Sequence, residues 1–239
     1  MASMTLDYRD GDVALKGVLV RDEKWTAGPA IVLFPDARGI GAHALECAGR
    51  LAALDYPTLV ADLYGEGVQA RDMTQAGELM RSLRADVDRW RARARASLDA
   101  LSRQEGVDRS RLVALGYCFG GSTALELARS GAPLAAVVSF HGGLASPRPA
   151  DAANIKAKVL VCHGAADPLV PPTDVAAFEE AMGRTKVDWQ LHAYGGAVHA
   201  FTNPDADNAG TPALGYNEAA DRRSWVAMLG LLKEAFTQE

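Results

Sequence analysis

The segment Gly116-Tyr117-Cys118-Phe119-Gly120 joins the apolar run Arg111 to Tyr117 to a helix-forming stretch that opens at Gly120. A sharp turn between strand and helix pushes its central side chain out above a sheet, where a nucleophile must stand to be reached. Here that side chain is a thiol. A free thiol, with a pKa of about 8.5, is only about a few per cent thiolate at neutral pH, so a reactive Cys118 needs a base beside it. Two more residues sit at comparable punctuation. Asp167 follows the apolar run Lys158 to Gly164 in His163-Gly164-Ala165-Ala166-Asp167-Pro168, and His199 follows Val187 to Tyr194 in a glycine-bearing loop. In this order the histidine can take or stabilise the thiol proton, and the aspartate can fix the imidazole tautomer and favour its charged form. The backbone N–H groups of Phe119 and of Ala37, which follows Phe34-Pro35-Asp36, are the matching candidates for holding an oxyanion; losing one such donor costs on the order of 10²- to 10³-fold in rate. Taken singly, Cys118 also fits a small buried residue in a tight turn, Asp167 a surface turn acid and His199 a loop histidine. Jointly the three favour chemistry.

The elements that must position these residues follow from hydrophobic period. Met4 to Val20 alternates about Asp10-Gly11, as in an antiparallel hairpin. Ala30–Pro35, Thr58–Tyr64, Arg111–Tyr117, Ala135–Gly142 and Lys158–Gly164 are short, nearly continuous apolar runs, expected of strands buried on both faces. Val187–Tyr194 alternates and is expected nearer a sheet edge. Helical spacing falls between most of them, at Ala42–Leu54, Thr74–Leu101, Gly120–Arg129, Thr173–Met182 and Glu218–Phe236. The pattern predicts an α/β fold, a mostly parallel sheet covered by helices on both faces, in one domain over 1–239. On the long second helix the arginines at 81, 84, 89, 91, 93 and 95 are expected to form a solvated face over an apolar stripe. The segments 146–154 and 204–215 are expected as surface loops.

A net charge of −5 in 239 residues gives no electrostatic reason for a nucleic-acid or anionic-membrane partner. Without a secretory-type N-terminal pattern or a spanning apolar run, the expected location is cytoplasmic. Three scattered cysteines suit a reducing compartment and give no zinc spacing. Cys47 and Cys162 are expected in the core. His141 and His163, after apolar strands, are expected to bond backbone rather than substrate, and His43 and His192 to be exposed.

The stretches Gly-Tyr-Cys-Phe-Gly-Gly (116–121), Ala-Asp-Leu-Tyr-Gly-Glu-Gly (61–67), His163 to Pro171 and Gly196 to Phe201 together resemble the dienelactone hydrolase family, over roughly Ala14 to Phe236. The resemblance implies an α/β-hydrolase fold and a hydrolase opening ester or lactone bonds, with no cofactor or metal. It implies Cys118 as nucleophile, Asp167 as acid and His199 as base. It also implies a role for Asp36, where the family has a glutamate that contacts the resting thiol; aspartate is one methylene shorter, which leaves open whether that contact is kept, bridged by water or lost. Where family members hold a substrate carboxylate with an arginine, this chain has Asn203. Arg38, Tyr64, Arg81 and Phe201 are the other candidates to touch a small-molecule ester or lactone. The alternatives are a broad carboxylesterase or thioesterase on the same triad, and a non-catalytic binding protein of the same fold. Monomer and homodimer stay open.

Overall fold

The computed structural model describes residues 1–237. Strands β1 (Ala2–Asp10) and β2 (Val13–Arg21) form the expected hairpin, closed by Gly11 at φ 56°. Six further strands follow: β3 (Gly28–Phe34), β4 (Thr58–Val60), β5 (Val107–Tyr117), β6 (Ala136–Phe140), β7 (Lys158–Gly164) and β8 (Trp189–Tyr194). They lie in one sheet in the order β1-β2-β4-β3-β5-β6-β7-β8, antiparallel at β1–β2 and β2–β4 and parallel from β4 onward. β8 is an edge strand, as its alternation predicts.

Along β3 the side chains divide strictly between two cores. Ala30, Val32 and Phe34 face one way and Ile31 and Leu33 the other, so both faces of the strand are covered. Helices α2 (Met73–Arg84), α3 (Val87–Ser102), α4 (Phe119–Arg129) and α5 (Pro172–Gly183) pack on the first face. Helices α1 (Ala42–Ala52) and α6 (Glu218–Phe236) pack on the second. This is the α/β-hydrolase arrangement, and it delivers the carboxyl ends of β3, β5, β6, β7 and β8 to one rim.

Four local expectations need correction. The long second helix is two, because Asp86 turns its carboxylate back onto the N–H groups of Asp88 and Arg89 and so caps a new helix. Its arginines are not all solvated. Arg91 and Arg93 are buried, paired with Glu126 and Asp151 and with Asp10, respectively. β4 stops at Val60 rather than Tyr64, because buried Asp62 gathers the N–H groups of Lys16, Tyr64, Gly65 and Gly67 and bends the chain around itself. The segments expected as surface loops each contain a short 3-10 helix, Pro149–Asn154 and Pro204–Ala209.

Candidate active site

Cys118 occupies the turn between β5 and α4 at φ 54°, ψ −119°, a conformation costly for a residue with a side chain. Close packing permits it. A Cβ on Gly120 would lie 1.9 Å from the carbonyl oxygen of Phe34, and one on Gly116 would lie 2.0 Å from that of Gly120. Only glycine lets the start of α4 press against the end of β3, which brings the Phe119 amide beside the Pro35-Asp36-Ala37 loop. The thiol remains part-exposed, whereas Cys47 and Cys162 are buried as expected.

Asp167 and His199 come from the ends of β7 and β8, and the backbone stitches their loops together. The Ala166 N–H donates to the Ala197 carbonyl at 2.9 Å, and the His199 N–H and carbonyl bond residues 213 and 215. His199 Nδ1 lies 2.7 Å from Asp167 Oδ2, both side chains buried. Oδ1 of the same carboxylate accepts the Leu169 N–H at 2.8 Å, so the acid cannot swing away. Nε2 of His199 is buried with no hydrogen-bond partner. Burial opposes a charge on this ring, but the Cys118 thiol and the Asp167 carboxylate together outweigh it, and the imidazole is pushed up to about 10. Cys118 thus lies close enough to Nε2 to bias the imidazole.

The other candidate residues scatter. The Tyr64 hydroxyl donates to the Ala37 carbonyl at 2.8 Å, and its ring stacks on Phe119, whose other neighbour is Trp90. Burial, with Cys118 and Asp36 nearby, raises the Tyr64 phenol, so it stays protonated as a donor. Asp36 Oδ1 accepts the Arg38 N–H at 2.8 Å, which shapes the loop; the structure gives it no hydrogen bond to the thiol. Neither the Ala37 nor the Phe119 N–H has an acceptor within the chain among the described residues. Arg38 and Arg81 are exposed. Phe201 is fully buried against His141 and Tyr194, a core position rather than a pocket wall. Asn203 caps the 3-10 helix after it, its Oδ1 taking the Asp205 N–H at 3.0 Å.

His141 bonds backbone as expected, and the backbone is that of Cys118. His163 does not, its Nδ1 being buried without a partner. His43, expected at the surface, is half-buried, with Nε2 3.1 Å from the Thr202 carbonyl and its ring on the edge of Tyr117. Thr202 escaped sequence reasoning altogether, because a threonine three residues past a histidine carries no signal until the loop is folded.

A candidate nucleophile turn after β5, with an acid after β7 and a histidine after β8 on such a sheet, is the arrangement of a hydrolase of the α/β class. The dienelactone hydrolase family model matches residues 15–236, and the chain belongs to that family, which hydrolyses ester and lactone bonds. The solved structure of m3DLH is 47% identical and superposes with a TM-score of 0.96 over 99% of both chains. A dienelactone hydrolase-like promiscuous phosphotriesterase from metagenomic libraries is 45% identical, with a TM-score of 0.95 over 99% of both chains. A Salmonella typhimurium protein named "Putative carboxymethylenebutenolidase" is 27% identical over 212 residues, 84% of this chain and 75% of its own.

Proposed function

We propose that Cys118 is the nucleophile, His199 the base and Asp167 the orienting acid of a hydrolase for small uncharged esters and lactones. The observation that carries this reading is the buried Asp167–His199 pair at 2.7 Å, whose remaining nitrogen has no partner and lies close enough to Cys118 for it to raise the imidazole. His199 holds the proton that leaves the thiol. The thiolate attacks the carbonyl carbon, and the Ala37 and Phe119 amides bind the oxyanion. Collapse expels the alcohol oxygen, which takes its proton from the His199 imidazolium and leaves an acyl-thioester on Cys118. Water, losing a proton to His199, then attacks the thioester and regenerates the thiolate and imidazolium as the acid leaves.

Substrate charge follows from what surrounds the thiol. The ionisable neighbours at this rim are Asp36, Tyr64, His43, His141, His163 and the triad itself, and the two arginines considered for a carboxylate are both exposed. A charge-assisted contact is worth about 1.5–3 kcal/mol, one to two decades of kcat/KM, and nothing here supplies it. Neutral p-nitrophenyl esters and uncharged lactones are therefore expected to be turned over at least as well as carboxylated dienelactones. A preference of more than about a hundredfold for the carboxylated lactone would overturn the assignment. Cys118→Ala should abolish turnover while Tm is retained; turnover persisting in it would remove the mechanism.

The 45% identical phosphotriesterase neighbour favours a second reading on the same atoms. A neutral phosphotriester has no charge to repel Asp36, and its phosphoryl oxygen can occupy the place of the ester oxyanion. The thiolate would displace an aryloxide from phosphorus, and water would release the phosphodiester from Cys118. Release of p-nitrophenolate from a p-nitrophenyl dialkyl phosphate, lost in Cys118→Ala, is the test.

A further inference from the structure

Non-glycine residues with positive φ are costly, and among the described residues there are five: Asp55, Glu66, Cys118, His141 and Ala200. Three of them meet at this rim. Cys118 (φ 54°) is the candidate nucleophile, Ala200 (φ 59°) follows His199 directly, and His141 (φ 39°) ends β6 between them. His141 is buried, 2% exposed, and both of its nitrogens are used. Nδ1 shares the Cys118 N–H, at 3.1 Å, with the Phe140 carbonyl at 3.0 Å, and Nε2 lies 2.8 Å from Thr202 Oγ1. The first bond requires a bare Nδ1, so the proton is on Nε2 and is donated to the threonine. The ring edge also meets His199 at a centroid distance of 5.2 Å and Phe201 at 5.2 Å.

We infer that His141 is a positioning residue: a neutral imidazole bridge that ties the loop carrying His199 to the backbone of Cys118 and so fixes base and nucleophile relative to each other. The inference rests on the reading of Cys118 and His199 above. Thr202 is three residues beyond His199 in a turn closed by the Asn203 N–H on the Ala200 carbonyl at 2.9 Å. A hold on Thr202 is therefore a hold on His199. Without the bridge, the elbow and the loop are joined at this point only by packing, and a misplacement of about 1 Å between reacting groups costs on the order of 10²-fold in rate. Neutrality is part of the device. A proton on Nδ1 would break the bond to Cys118 and place a second positive charge beside His199. Burial first, then His199 and His43, hold His141 well below the usual imidazole range. No carboxylate touches the ring to oppose them.

The test uses two substitutions that spare the fold. Thr202→Val keeps shape and removes the hydroxyl. His141→Asn keeps an acceptor near the Cys118 N–H, suits a left-handed backbone, and cannot reach Thr202. Each should lower kcat for a neutral p-nitrophenyl ester about tenfold or more, with KM within about twofold, because the groups displaced act in the transition state. The double variant should lose no more than the worse single one, since both break one bridge. Each should also shift the pH profile of Cys118 alkylation by iodoacetamide, which reads the thiol–imidazole pair. A merely structural role would lower Tm and leave both the alkylation profile and the kcat of folded enzyme unchanged. Wild-type kcat and alkylation in Thr202→Val overturn the bridge, and that variant decides alone should His141→Asn not fold. Turnover surviving in Cys118→Ala removes the triad instead, so the two failures are distinct.

Discussion

At the scale of single residues, the proton on His199 links chemistry to stability. Its pKa is raised from 6.5 to about 10, against the pull of burial, by the thiol and by Asp167. A group whose folded value is raised stabilises the fold fully below its unfolded value and loses that contribution as pH rises through the folded one. The contribution of His199 is therefore complete below pH 6.5 and lost between there and about 10. In Cys118→Ala the contribution of Cys118 is gone while burial remains, so the loss should be smaller and complete at lower pH. Urea midpoints of the two proteins between pH 6 and 10 check this, and superimposable pH profiles would contradict it. Cys118→Ser asks a different question of the same atom. A hydroxyl is far harder to deprotonate than a thiol, so the serine enzyme should keep only weak ester turnover and resist iodoacetamide.

At the scale of elements, the turn proposed to carry the nucleophile is shaped by two backbones that touch. The Phe34 carbonyl stands 1.9 Å from where a Gly120 Cβ would be, and the Pro35 carbonyl 2.5 Å away. Neither can yield without moving β3. Gly120→Ala must therefore push α4 away from the oxyanion loop, separating the Phe119 and Ala37 amides. Its kcat should fall by at least the 10²-fold or so that one oxyanion donor is worth, or the protein should not fold, whereas Gly49→Ala on α1, with nothing within 4 Å of its Cβ, should be active. Asp62 does similar work with hydrogen bonds. By holding the N–H groups of Tyr64, Gly65 and Gly67, it aims Tyr64 at the Ala37 carbonyl, so the loop from β4 braces the loop from β3.

At the scale of the whole molecule, a buried ionic cluster locks α3, α4 and the segment after β6 together. Glu126 Oε2 accepts Arg91 Nε and Nη2 at 3.0 and 2.8 Å, while Oε1 accepts Arg129 Nη1 and Ser146 Oγ at 2.8 and 2.7 Å. Arg91 Nη1 reaches Asp151. Two desolvated guanidinium groups share this carboxylate, whose side chain is 2% exposed. Removing one member of such a cluster strands buried charge and costs about 3–5 kcal/mol. Glu126→Leu should fall in that range by urea denaturation at pH 7, whereas Asp88→Ala, which breaks the exposed pair with Arg148, should leave the urea midpoint close to that of the wild type. Because α4 begins at Phe119, looseness in this cluster should also reach the elbow, and kcat of Glu126→Leu should fall along with Tm.

Period, turn residues and chain order were enough to read the sheet, the hairpin and the order of Cys118, Asp167 and His199. These are local properties: an apolar run either can or cannot be buried on two faces, and a glycine on either side of Cys118 either allows a sharp turn or does not. The arginines show where local reading ends. Arg91 and Arg95 are four residues apart on one helix and alike in sequence, yet one is buried against Glu126 and the other exposed beside Asp99. Which one meets an acid depends on how α3 lies on α4. Phe201 was a pocket candidate because it flanks the His199 motif and Asn203 because it stands where the resemblance implies a substrate-binding arginine, and the folded loop turned one into the core and the other onto its own backbone. His141 and Thr202, 61 residues apart, meet through a hydrogen bond that no spacing encodes. A hydrogen-bond partner is chosen by where loops cross in space, and that crossing exists only once the sheet has brought its strand ends to one rim.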